Sequence, residues 1–308
     1  MIAYLLGLVA GVATPTQTSV NLKLREKVRS PFTASVISFA TATVLLVIIL
    51  LLSGQDLSLP LGKVAENPWW IWIGGMCGTG IVVLNVICLP HLGSAMTVML
   101  LSFGQIMTGL IVDNWGLFGS PQFPMTVTRA IGAVFVIAGV VLVSGSRGKT
   151  GDKQKYSPIY IIMAILGGVC CATQVAVNGT LGTVVGSGIK GTLISMLVGT
   201  VFTVLVTVAA YFIQGKDRFF DKTDGDVPFS PIMLTGGVFA VIIVGSNVIT
   251  APILGAGLVT VMNLIGQMSM GLVIDAVGFL GIEKKPVTLV KLLGVISMIG
   301  GTAVIMLL

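Results

Sequence analysis

Carboxamides are the residues of this sequence best placed to do chemistry. Gln17 and Asn21 stand four apart, Gln174 and Asn178 repeat the spacing, and each pair shares one face of a helix. Gln105 and Gln267 each follow a glycine, and Asn85 and Asn247 sit in apolar runs. An amide donates and accepts hydrogen bonds without carrying charge, which suits capture of a neutral or zwitterionic small polar molecule. No Ser, His and acid grouping points to hydrolysis, and no Gly-rich loop ending in Lys points to a nucleotide motor. No enzymatic activity, cofactor or metal is therefore expected. Cys77, Cys88, Cys170 and Cys171 lack the spacing of a zinc site or redox pair and read as small packing residues. His91 reads as a solvated turn residue. Gly74, Gly75, Gly78 and Gly80 have no strand before them, so they make no dinucleotide fingerprint. Gly7 with Gly11, and Gly74 with Gly78, have the spacing of close helix contacts. Asp113 and Asp275 close apolar runs, as anchors for the next loop or as gating or coupling groups; Pro15 offers a bend for gating.

The elements that carry these residues follow from composition. Of 308 residues 55% are apolar and 9% charged, with a mean hydropathy of +1.05, against about 25% charged in soluble domains. A soluble globular protein is excluded. The alternation of a membrane β-barrel is absent, so helices meet the lipid, and an all-α polytopic membrane protein is expected. Runs of about 20 apolar residues fall at 2–23, 32–53, 69–89, 92–113, 125–145, 158–182, 190–213, 231–252, 255–275 and 287–308, giving ten transmembrane helices. The first lacks a basic leader and a cleavage signal and reads as a retained span.

An internal repeat organises the ten. Shifted by 162, residues 74–119 fall on 236–281 with 17 of 46 identical by direct count, pairing Asn85 with Asn247, Pro90 with Pro252, Gln105 with Gln267 and Asp113 with Asp275. In the first helix the shift is 157, pairing Gln17 with Gln174 and Asn21 with Asn178, so residues have been inserted near the 216–228 loop. The expected units are 1–148, a basic linker at 149–156, and 157–308. Five helices per unit is an odd number, so the second unit enters the membrane from the opposite side, the architecture of alternating-access carriers. Gln105 and Gln267 then lie at mid-depth, Gln17 with Asn85 nearer one face, and Gln174 with Asn247 nearer the other. An amide in hydrocarbon needs a partner and must face inward. Two readings remain: interhelical bonds that hold the bundle, or ligands lining a polar pathway with apolar help from Phe103, Met107 and Met262.

Lys and Arg set the orientation. Thirteen lie in loops after odd-numbered spans (Lys23, Arg25, Lys27, Arg29, Arg147, Lys149, Lys153, Lys155, Lys216, Arg218, Lys222, Lys284 and Lys285), against Lys63, Arg129 and Lys190 on the other face. Both termini are predicted outside and the linker in the cytoplasm. The net charge of +6 is thus topology and attraction to anionic lipid; no nucleic-acid partner is expected.

The run Leu92-Gly93-Ser94-Ala95 through Ser102-Phe103-Gly104-Gln105 to Gly109-Leu110-Ile111-Val112-Asp113-Asn114-Trp115-Gly116, present twice in outline, resembles the signature of the YdcZ-like family of the drug/metabolite transporter superfamily, as do Gln17 with Asn21 and the pair Trp69 and Trp70. The resemblance implies a multi-pass carrier of the bacterial inner membrane, an exporter, here as two fused five-helix units. Pro15 faces Ala172, and Lys23 and Arg25 face Thr180 and Gly182, so the halves need not move alike. The expected function is secondary transport of a small polar metabolite or drug-like compound, as monomer or homodimer. The alternatives are a membrane scaffold or accessory protein, and a lipid flippase.

Overall fold

A computed structural model describes residues 1–54, 58, 61–145, 157–215, 228–281, 284 and 287–306. The predicted linker at 149–156 and most of the 216–228 insertion lie outside them. The described residues form α1 (Ile2–Val28), α2 (Pro31–Leu52), α3 (Leu61–Ala65), α4 (Ile73–Trp115), α5 (Val127–Gly145), α6 (Pro158–Val185), α7 (Gly188–Gln214), α8 (Thr235–Leu254), α9 (Ala256–Val277) and α10 (Leu289–Met306), and no strand. The chain is an all-α polytopic membrane protein.

Nine segments among the described residues are apolar and long enough to cross a bilayer. The first predicted span is not one of them. At 27 residues, about 40 Å, α1 has the length, but Thr14, Thr16, Gln17, Thr18, Ser19 and Asn21 dilute it. A helix this polar is tolerable in lipid only where neighbours cover it, and α1 packs against both α8 and α9.

The third and fourth predicted spans are separate crossings that turn back on each other, as expected. Helix spans the 43 residues of α4, about 64 Å if straight and twice the hydrocarbon thickness, with Pro90, which has no N–H to donate, inside it. Its contacts show that it doubles back along α6. Gly74 meets Asn178 and Cys88 donates to the Tyr160 carbonyl on the way down; Gly104 meets Ile165 and Thr180 donates to the Phe118 carbonyl at 2.6 Å on the way up. The 69–89 and 96–115 segments are thus two arms of a hairpin. In the second unit the same hairpin breaks visibly at Gly255 (φ 80°) between α8 and α9. His91, at the reversal of α4, is not simply solvated: its ring stacks on Tyr160 at 3.8 Å.

The duplicated units are related by a two-fold axis that contacts on the axis define. A Cβ at Gly132 would come 2.6 Å from the Gly301 carbonyl, and one at Gly139 2.5 Å from that of Gly294. The 162 shift maps each of these pairs onto the other. As α5 advances α10 recedes, so the two run antiparallel, and a two-fold relating antiparallel spans lies in the membrane plane. On the same axis the counterparts Thr43 of α2 and Thr200 of α7 bond to each other at 3.0 Å. Small residues are needed there because backbones touch.

Local geometry is duplicated as well. Ser30 and Ser187 cap α2 and α7 by accepting from Thr33 and Lys190 N–H groups, each at 3.3 Å. The residues before them are left-handed, Arg29 at φ 57° and Gly186 at φ 71°.

Candidate functional site

The first helix of each unit is held in the hairpin of the other. Gln17 Nε2 donates to the Gly236 carbonyl at 3.0 Å, and Asn21 Oδ1, against Gly236, accepts from Ser38 at 2.7 Å. Their counterparts meet the first unit: Asn178 touches Gly74, and Gln174 lies beside Gly78. Glycine is required at 74 and 236 because a side chain would occupy the amide's place. Gln17 and Asn21 are thus each bonded within the bundle. Asn178 does not: although 1% exposed, neither of its amide atoms has a partner, and neither has the hydroxyl of Ser195, which stands where Ser38 stands in the first unit. Asn247 is buried and accepts from Asn263 Nδ2 at 3.0 Å. Gln105 is 8% exposed and so turned away from lipid; Gln267 and Asn85 are half-buried. α1 continues as helix through Pro15.

Asp113 does more than anchor its own loop. Fully buried, it accepts from Arg129 Nη2 at 2.9 Å and from the Gly257 N–H in the first turn of α9 at 3.0 Å. One carboxylate of the first unit therefore caps a helix of the second, where the helix dipole favours negative charge. Arg129, which also donates to the Phe123 carbonyl, is 6% exposed. It is a buried ion-pair partner and drops out of the loop-charge comparison. At the opposite face Asp275 pairs with Lys291 at 3.6 Å.

The two faces of the bundle differ in closure. At the face where α6 ends, a Cβ at Gly179 would be 2.7 Å from Ala251 Cβ, and Gly182 is packed on Val248, so α6 and α8 are sealed. The counterparts of Gly179 and Ala251 are Leu22 and Leu89, which are 42% and 44% exposed, and among the described residues α1 and α4 share at most a stray contact. Gly182 is likewise replaced by Arg25. This open face is the one that bears Lys23, Arg25, Lys27 and Arg29.

Apolar space lies elsewhere. A crevice of about 240 Å³ between α4 and α5 is lined by Met96, Met99, Phe103, Ile137, Val140 and Val141. Phe103 and Met107 are 40% and 39% exposed, whereas Met262 is buried on Gly7 of α1.

A family model described as "Putative inner membrane exporter, YdcZ" matches residues 2–142 and, a second time, 159–304. The chain belongs to the YdcZ family. Its two matches are the two units that the axis relates. No curated protein matches it. Among solved structures, one crystal structure aligns with 100% of this YdcZ chain and 99% of its own at a TM-score of 0.69 and 16% identity, a likeness of fold alone. Membership makes this a multi-pass protein of the inner-membrane exporter type.

Reading the sequence for identity between repeats found Gln17, Asn21, Asn85, Gln105 and Asp113 with their copies. It passed over Thr260, Asn263 and Ser195. Thr260 and Asn263 have apolar counterparts, and Ser195 looks like any serine in a helix; the signal that exposes the first two is a difference between repeats.

Proposed function

We propose that this YdcZ protein is a secondary carrier that exports a small polar metabolite or drug-like compound by alternating access, without enzymatic chemistry. Units 1–148 and 157–308 rock about their in-plane axis, the linker at 149–156 is cytoplasmic and the termini lie outside. The observation that carries this is the unequal closure of equivalent seams: Gly179 on Ala251 is shut while Leu22 and Leu89 stand open. One interface thus occurs twice in one molecule in two states, which is what a rocking two-fold bundle samples. By the basic-loop rule the open face is cytoplasmic.

Gln105 and Gln267 are the central ligands, with Asn85, Gln174, Asn178 and Asn247 above and below them. Gln17 and Asn21 guide the α1 wall. Asp113 gates the closed face, Asp275 the open one, and Pro15 serves as the flexible point of α1. The scaffold reading has support at Gln17 and Asn21, which are bonded within the bundle, but a buried amide without partners, as at Asn178, holds no bundle together.

Ligand-induced thermal shift over a panel of metabolites and antimicrobials selects a compound, whose flux is then followed in proteoliposomes. Gln105→Ala/Gln267→Ala is expected to abolish flux with an unchanged melting temperature. Full flux in the double variant, or no compound that raises the melting temperature, overturns the proposal.

A further inference from the structure

Buried polar groups without partners destabilise a fold by about 1–3 kcal/mol each, and few are tolerated. Two of them share one face of α9. Thr260 is 1% exposed and its hydroxyl has no partner; Asn263, three residues on, has a partnerless Oδ1. Four residues further stands Gln267, so the three residues lie on one stripe. The fold does not demand this polarity. In the first unit the same positions carry Val98, Leu101 and Gln105, and only the glutamine is common.

The stripe has a direction. From Gly257, capped at the closed face, to Gln267 is ten residues, about 15 Å, which is half the hydrocarbon thickness. α9 therefore lays hydrogen-bonding groups from the closed face to mid-depth. Across the axis, α4 lines its half, from the open face to mid-depth, with Val98 and Leu101. The amide of Asn263 is oriented by its donation to Asn247, and the atom left over is an acceptor.

We infer that the Thr260, Asn263 and Gln267 face of α9 is a binding subsite for the hydrogen-bond-donating end of a small neutral amphipathic molecule, occupied as the closed seam opens. The inference rests on the carrier reading and names the substrate class of its site. A primary carboxamide meets the requirement, since its N–H₂ donates to Asn263 Oδ1 and its carbonyl accepts from Thr260. A tertiary amide does not, lacking the donor.

The test uses the full chain with its four cysteines replaced, the seam forced open by Gly179→Leu, and 2-aminoethyl methanethiosulfonate as the thiol probe. Thr260→Cys is expected to be labelled and Met262→Cys, packed on Gly7, to stay silent. Propionamide should slow labelling of Thr260→Cys at least tenfold more than N,N-dimethylpropionamide does, and Asn263→Leu should erase that difference. Thr260→Val, which installs the residue of the other repeat, should keep or raise the melting temperature; a structural role would lower it. Silence at position 260, equal slowing by the two amides, or persistence of the difference in Asn263→Leu overturns the subsite. Labelling of Leu89→Cys reports rocking independently, so loss of the subsite and loss of the carrier reading are told apart.

Discussion

Placing at Gly179 the leucine that its counterpart carries should tip the molecule over. In the sealed state a Cβ at 179 already falls 2.7 Å from Ala251 Cβ and 3.2 Å from Pro252 Cδ, below ordinary van der Waals contact, and a leucine adds three carbons beyond it. Over-packing a tight contact costs about 1–3 kcal/mol. The open state does not bear that cost, so the equilibrium between faces shifts by about 5–150-fold. The reporter is Leu89→Cys at the opposite seam, labelled from the basic face by an impermeant trimethylammonium methanethiosulfonate. As the Gly179 seam opens, the Leu22 and Leu89 seam closes, and the labelling rate should fall by that factor, with Gly179→Ala giving a smaller fall. An unchanged rate in Gly179→Leu protein that retains its melting transition would refute the coupling of the two seams.

Other outcomes follow from single contacts. Arg129→Ala leaves the buried Asp113 carboxylate uncompensated and should lower stability by about 3–5 kcal/mol in thermal denaturation, with Asp113→Asn/Arg129→Leu recovering most of it. Arg29→Gly puts at a left-handed position the residue that its counterpart Gly186 already carries there, and should raise stability by about 1 kcal/mol. Gly74→Ala drives a methyl into Asn178; it should lower the melting temperature more than Gly62→Ala, where a Cβ meets nothing within 4 Å.

Much of the fold is legible in sequence because lipid imposes one solution on backbone polar groups, and duplication repeats what packing requires. Gly104 and Gly266, seated on Gly168 and Gly11, had to recur. The hairpin reversal in α4 is legible too: Pro90 and Gly93 interrupt the apolar run, and the two spans turn back on each other there. Contacts between distant residues are less so. The cap that Asp113 places on Gly257 joins residues 144 apart, and no local spacing announces it. The site was half visible. Shared amides stood out, Gln17 and Asn21 among them with bonds to Gly236 and Ser38, while Thr260 and Asn263 escaped notice because nothing matches them. Closure at one face alone depends on Leu22 against Gly179, a size difference whose effect appears only when the helices are assembled.

The glycine contact of α5 with α10 makes each unit the natural partner of its own inverted copy. Were the halves separate products of one gene, each would have to insert in both orientations, and every change at one seam would appear at the other. Joining them in one polypeptide fixes one copy in each orientation and uncouples their histories. A leucine can then hold one vestibule ajar while a glycine shuts the other, and a hydrogen-bonding wall can be kept on one side alone. Covalent fusion here is what allows a two-fold bundle to differ between its two faces.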